Sequence, residues 1–369
     1  MADTTISSLN TVNALSATNY IPISDGTDTT KLGTDSLFGL RNYIINGDFR
    51  VDQRNGGGSV LVNTGGPSVW TGPDRFFSYQ NSPSTNVSIQ RQSVDVPVGF
   101  ANALKWGRSG SGTPGGVTVL ATALETDQSI PLAGKTVTLS FYAKKGANFS
   151  SLNSQLEVIL ISGTGVDQGR GEMVTFAWSG VARPIETAVT LASSWQRFTL
   201  TGTVAANSKQ LGLYFSWTTT GVAGVDDNAY ISGVQLEEGP TSTPFERRFI
   251  GTELMLCQRY FQKTYRQDVT PGTAVATQNA VSHIYGAGAF QNIWWRLPVT
   301  MRTIPSPTAY NPNTGAIGTV FNSSNNVSYD IVFNSQYPYT SDSLVVGRTS
   351  INQTVQNEIN VHFTANAEL

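Results

Sequence analysis

Five stretches between residues 136 and 237 alternate apolar and polar side chains, and no helical period separates them. They are 136–143, 156–161, 195–204, 211–217 and 229–237. Successive side chains of a strand point to opposite faces, so each stretch reads as a half-buried strand. Strands in series with turns between them imply an antiparallel β-sandwich. This pattern constrains the chain more than any other feature.

Composition agrees. Of 369 residues only 13% are charged, while glycine alone numbers 36. Helical bundles and coiled coils draw on Ala, Glu, Lys, Leu and Arg, and are disfavoured here. A net charge of −2 offers no basic field for nucleic acid. No apolar run approaches the ~18 residues of a membrane helix, so no membrane insertion is expected. Met1 to Leu15 shows no signal-peptide pattern. One cysteine, Cys257, and two histidines, His283 and His362, rule out a disulfide framework and Cys-rich zinc sites. Synthesis in a reducing cytoplasm is the expectation.

Four parts are expected along the chain. Residues 1–40 form a small element: Tyr20, Ile21, Pro22 and Ile23, a turn at Asp25 and Gly26, a return strand at 29–32 and a one-turn helix from Asp35. It is too small to bury a core and should dock onto something else. Residues 41–250 form the sandwich. Residues 251–265 form a helix capped by Thr252, with Leu254, Cys257 and Phe261 on one face. Residues 266–369 return to β, with Asn-rich turns such as 311–315, and are expected to form the distal, receptor-facing domain, with the sandwich as shaft or platform.

Two motifs stand out physically. Asn46-Gly47-Asp48-Phe49 suits a tight turn in which Gly47 permits close backbone approach. Asp74 and Arg75, before Phe76 and Phe77, suit an ionic or hydrogen-bonded anchor. Together with Gln53-Arg54, this opening resembles that of a sandwich module in bacteriophage tail fibres, similar to carbohydrate-binding jelly rolls. Residues 231–246 resemble the closing strand and exit of that module. Glu253-Leu254 with Cys257, Gln258, Arg259 and Tyr260 resembles the junction that follows it. Residues 20–26 are similar to virion-anchoring segments. The resemblance implies an all-β fold: anchor segment, jelly-roll sandwich, junction helix and C-terminal β-sandwich domain. It also implies a homo-oligomer, a trimer in this family.

No catalytic constellation is legible. The resemblance raises a structural calcium near the first and last strands, with Asp48, Asp226, Asp227 and Glu237 as the available acids. Arg50 and Ser232-Gly233 depart from that pattern, and absence of a metal is the favoured reading; no other cofactor is expected. Glycoside hydrolysis needs two carboxylates flanking a sugar. Glu125, Asp127, Glu157, Glu172 and Glu186 are present, and the sequence pairs none of them. Gly-rich segments at 55–59 and 163–165 lack a phosphate-cradle context. His283, His362 and Cys257 read as structural.

Aromatic residues are the natural saccharide readers, through stacking on sugar C–H faces. Trp195, Trp217 and one of Trp294 and Trp295 are expected in cores. Consecutive Trp294 and Trp295 point to opposite faces, so one meets solvent, a subunit or a ligand; a subunit interface is the preferred reading, and both stand as receptor-contact candidates. Tyr337 and Tyr339 lie in an aromatic, Asn-rich stretch that suits an exposed tip and receptor contact.

The expected function is a non-enzymatic virion protein: a tail fibre attaching the particle to a host-surface polysaccharide and joined to other virion proteins through its N-terminus. A capsid decoration or head fibre, and a polysaccharide-degrading or deacetylating tail enzyme, are the alternatives.

Overall fold

The computed structural model describes residues 20–24, 29–33, 41–62, 72–81, 86–108, 110, 116–276, 278–286, 291–333, 342–349 and 357–369. Contacts divide the chain into two units, Met1–Asn42 and Tyr43–Leu369. In the first, β1 (Tyr20–Ser24) and β2 (Thr29–Gly33) form an antiparallel hairpin with Ile21 opposite Leu32. Tyr20, Ile21, Pro22 and Ile23 thus lie in β1, whereas Asp25, Gly26 and the segment following Asp35 lie outside the described residues.

The second unit begins with a sandwich. Its strands are β3 (Val60–Leu61), β4 (Phe77–Gln80), β5 (Val87–Gln92), β6 (Ala103–Arg108), β7 (Val117–Ala123), β8 (Thr136–Lys145), β9 (Gln155–Gly163), β10 (Ala182–Thr190), β11 (Gln196–Thr203), β12 (Gln210–Thr218) and β13 (Asp227–Glu238). A five-stranded sheet runs β10-β9-β12-β7-β4, and a six-stranded sheet runs β11-β8-β13-β6-β5-β3. All pairings are antiparallel, and the five alternating stretches of the sequence are β9 and β12 of the first sheet and β8, β11 and β13 of the second. Val137, Leu139 and Phe141 of one sheet meet Val158, Leu213 and Phe215 of the other in one core. Phe141 meets Phe215 edge-on at 5.0 Å, and Trp106 meets Trp217 at 6.1 Å. Burying each such side chain contributes about 1.5–3 kcal/mol, which the exposed polar alternates do not oppose.

The opening motif is a tight non-strand turn, with left-handed backbone at Asn46 (φ 60°) and Phe49 (φ 56°). A Cβ on Gly47 would collide with the Val234 carbonyl, and Val234 N–H donates to Gly47 O at 2.8 Å. Phe49 is fully buried against Phe76.

Two short helices, α1 (Thr126–Ser129) and α2 (Arg170–Val174), precede the junction helix α3 (Ile250–Gln258). The helix starts before the expected Thr252 cap: Phe249 is its N-cap, with no side-chain cap bond. Glu253 is drawn inward by Arg248 and Asn46 instead. The helix also stops early. Phe261 opens β14 (Phe261–Lys263), pulled into sheet pairing opposite Asn366, so the expected shared face of Leu254, Cys257 and Phe261 does not form.

The C-terminal domain adds β15 (Val281–Tyr285), β16 (Gln291–Arg296), β17 (Ser306–Tyr310), β18 (Thr319–Asn322), β19 (Val327–Val332), β20 (Leu344–Thr349) and β21 (Asn357–Asn366). With β14 they form one eight-stranded half-barrel sheet. β21 is its hub, pairing with β14, β15, β17 and β18. Ile293, Val320, Val345, Ile359, Val361 and Phe363 fill its core. His362, on the other face of β21, is fully buried and stacks on Tyr265 at 3.8 Å.

Candidate functional site

The five-stranded sheet has a second face, turned away from the core. Register places Ala188, Glu157, Ser216, Val119 and Tyr79 in one row across five strands. The next row is Glu186, Ile159, Tyr214, Ala121 and Phe77. A cavity of about 590 Å³ opens on this face. Its floor includes Val117, Gln155, Glu157, Tyr214, Ser216 and Thr218, and its rims include Ser151, Leu152, Phe176, Ala188 and Thr220.

Two rims are held by backbone that L-residues rarely adopt. Asn153 and Ser154, beside Leu152, both have φ 54°, and Phe176 has φ 56°. Such conformations cost of order 1–3 kcal/mol each and persist only where the surroundings impose them. Here Ser151 Oγ donates to Gln155 O at 2.6 Å, and Lys145 Nζ donates to Ser154 Oγ at 2.7 Å. The result presents Leu152 with 72% of its surface exposed at the mouth. On the other rim, Trp178 Nε1 donates to Gly169 O at 2.9 Å and pins the segment carrying Phe176. The Phe176 ring packs on Tyr214 at 5.2 Å and carries the Arg183 guanidinium 4.1 Å from its centroid.

The polar groups are few and placed. Ser216 Oγ donates to Glu157 Oε2 at 2.7 Å. Burial pushes the Tyr214 hydroxyl up to about 12, so it stays protonated at neutral pH. Trp217 lines the cavity and is buried between Phe149 and Trp106, yet its Nε1–H has no hydrogen-bond partner. Glu157 is the one formally charged side chain among the described lining residues.

The residues singled out in the sequence lie elsewhere. Asn46, Asp48, Asp74 and Arg75 meet the junction motif in a buried network. Asn46 N–H donates to Glu253 Oε1 at 2.5 Å, and its side chain donates to Val51 O and Asp74 O. Asp74 accepts from Gln53 N–H at 3.0 Å and Gln53 Nε2 at 2.5 Å. Arg75 pairs with Glu368 and lies 3.5 Å over the Tyr260 ring. Arg259 grips Glu125 with two bonds of 2.8 Å. Cys257 is fully buried, and burial pushes its thiol well up, while Gln258 is half-buried at the end of α3. This constellation joins segments 134 to 293 residues apart in the chain, and its geometry is that of a structural knot.

The four acids weighed for calcium go to four separate partners. Asp48 pairs with Arg50 at 2.7 Å, and Asp227 with Arg108 at 2.6 Å. Asp226 accepts from Tyr230 at 2.6 Å, and Glu237 from Thr243 at 2.6 Å. Among the described residues no group of three or more His, Cys, Asp or Glu converges as a metal site. Nor is any described helix long and apolar enough to cross a membrane.

Trp295 packs half-buried on the half-barrel core, and Trp294 points outward, 53% exposed, edge-on to His283. Tyr337 and Tyr339 lie outside the described residues. Trp195 is not in the core. It shares its strand parity with Arg197, sits half-buried on the outer face of the six-stranded sheet, and donates to Asp95 at 3.2 Å. Tyr214, Ser216 and Glu157 were legible as outward alternates of β12 and β9. Phe176 follows a one-turn helix and left no periodic signal.

No family model and no curated protein matches the chain. Among solved structures, it is similar to the enzymatically active domain of bacteriophage CBA120 tailspike protein 4. The TM-score is 0.34 and the identity 12%, over 54% of this chain and 21% of that one. The match therefore spans about a fifth of the tailspike chain. It is also similar to the carbohydrate-binding module TmCBM61 in complex with β-1,4-galactotriose, with TM-score 0.30 and 11% identity over 54% of this chain and all of that one. A xylan-binding domain from Paenibacillus barcinonensis matches with TM-score 0.29 and 12% identity over 55% of this chain and 100% of that one. At such values, function rests on the cleft itself.

Proposed function

We propose that this chain is a glycan-binding protein of a phage tail, and that the cleft on the five-stranded sheet holds the saccharide. The cleft carries the reading. It sets aromatic Phe176 and Tyr214 beside hydroxyl, amide and carboxylate groups. Flat apolar C–H faces and dense hydroxyls are the complement of such a surface. The fibre assignment is supported by the motif resemblance at 42–76, 231–246 and 253–261. In this reading the chain acts in the virion as a homotrimer, its hairpin at 20–33 serving attachment to the particle. Multiple copies convert weak sugar contacts into firm adhesion.

Binding without cleavage is part of the proposal. Glycoside hydrolysis needs a second carboxylate across the sugar from the first, and Glu157 is the one carboxylate among the described lining residues. Glu186, on the adjoining strand, is paired with Arg183.

The test is an array of bacterial surface polysaccharides probed with the full chain and with Tyr214→Ala and Phe176→Ala. Retention on specific glycans, lost in both variants, supports the reading. Binding unaffected by either variant, or absent from every glycan, refutes it. Mass photometry of the same preparation checks the trimer.

A further inference from the structure

The lone charge of the cleft has a consequence for what it accepts. Glu157 is exposed on the floor, with one carboxylate oxygen held by Ser216. No lysine or arginine is among the described lining residues. The undescribed residues between 43 and 369 contain no Asp, Glu, Lys or Arg, so they cannot supply a counter-charge. The nearby cations are engaged. Arg183 pairs with Glu186, Lys145 donates to Ser154, and Arg108 is buried against Asp227.

We propose that the cleft selects a glycan bearing a cationic amino sugar, with Glu157 as the selecting residue, over neutral or acidic counterparts. This rests on the cleft being a saccharide site. The ammonium of the sugar donates to the Glu157 carboxylate while its ring lies against the aromatic wall. A uronate or phosphate at the same position meets a like charge, and the Arg183 guanidinium at the Phe176 rim is already paired with Glu186. Like-charge juxtaposition raises the cost of the wrong ligand, so one residue serves both attraction and rejection. Ser216 fixes the carboxylate in place, and the partly enclosed floor keeps the interaction from being screened as a fully exposed pair would be.

The experiment titrates the full chain with three size-matched probes: a glucosamine oligomer, its N-acetylated counterpart and an oligogalacturonate. It is run at about pH 6, where a sugar amine is cationic and a free carboxylate ionised. The amine oligomer should bind about tenfold more tightly than the acetylated one, the galacturonate most weakly, and added salt should weaken the first arm alone. Glu157→Gln keeps the Ser216 hydrogen bond and should erase the tenfold gap between the amine and acetylated oligomers. Equal binding of all three probes, or a preference that survives Glu157→Gln in a variant of unchanged melting temperature, overturns the charge selection and leaves the saccharide site standing. Failure of all three probes, with Tyr214→Ala also without effect on the polysaccharide array, overturns both.

Discussion

The two sheets of the sandwich share one core and one alternating pattern, yet their outer faces have opposite fates. On the six-stranded sheet the chain returns to cover its own surface. Residues 239–246 lie across it, held by Glu237 through Thr243 N–H and Oγ1 at 2.8 and 2.6 Å. Gln235 accepts from Glu246 N–H at 2.7 Å, and Thr138 donates to Gly239 O at 2.6 Å. On the five-stranded sheet, Glu157 and Ser216 stand in comparable outward positions facing a cavity whose described rims are the Ser151–Leu152 turn, Ala188, Thr220 and Phe176. Outward polar residues in a strand are therefore of two kinds: those that fasten a covering segment and those that face a cavity. Alternation alone does not separate them.

This contrast sets the order of expected effects. The largest belongs to a sealed surface in the half-barrel. Burial pushes His362 down to about 4, with the Gln278 backbone opposing. A histidine held neutral in the fold but free to charge when unfolded stabilises above its ordinary value near 6.5 and loses that contribution as pH falls towards 4. The loss should reach roughly 3 kcal/mol between pH 7 and 4. Chemical denaturation at both values should show a smaller difference in His362→Asn, and an equal difference would break the account.

Next comes the sealed face of the sandwich. Glu237→Ala removes the acceptor for Thr243 and Gln235 and should cost about 2–3 kcal/mol. Hydrogen exchange should rise across 239–246. The matching change on the open face, Glu157→Ala, should alter stability by no more than about 0.5 kcal/mol. If the two variants melt alike, the distinction between covered and open faces fails.

Tyr214→Ala should weaken glycan binding by at least about tenfold, as loss of a central aromatic contact does. The smallest effect concerns the rim. Ser154→Gly relieves the left-handed backbone and should raise stability by about 0.5–1 kcal/mol while loosening the presentation of Leu152. Increased stability with reduced affinity in a thermal melt and a titration would sharpen the view that the rim is strained for binding; a stability loss would count against it.

How much of this was legible follows from what each strand buries. β8, β11 and β13 alternate cleanly because one face meets the core and the other meets polar groups. β7 (Val117–Ala123) is buried on both faces and shows no alternation, so it left no clear mark. β10 is an edge strand containing Pro184, with most of its residues exposed. In β9 the run Val158-Ile159-Leu160-Ile161 loses its period because Met173 and Trp178 cover the outer face at that end. The same covering segment carries Phe176, whose role is set by a turn rather than by a pattern. The motif residues Asn46, Asp74 and Tyr260 were visible, but their common location was not.

The sequence by itself determined the all-β class, the sandwich and the place of the junction, because a two-residue period and turn residues are local properties of the chain. It also determined that one carboxylate at most would stand out in β9. Tertiary structure decided which outward face is sealed and which is open, where the helix yields to β14, and that Glu157, Tyr214 and Phe176 share one cavity. Those outcomes depend on which distant segment lies over which sheet, and contacts between residues far apart in the chain leave no period in the sequence to read.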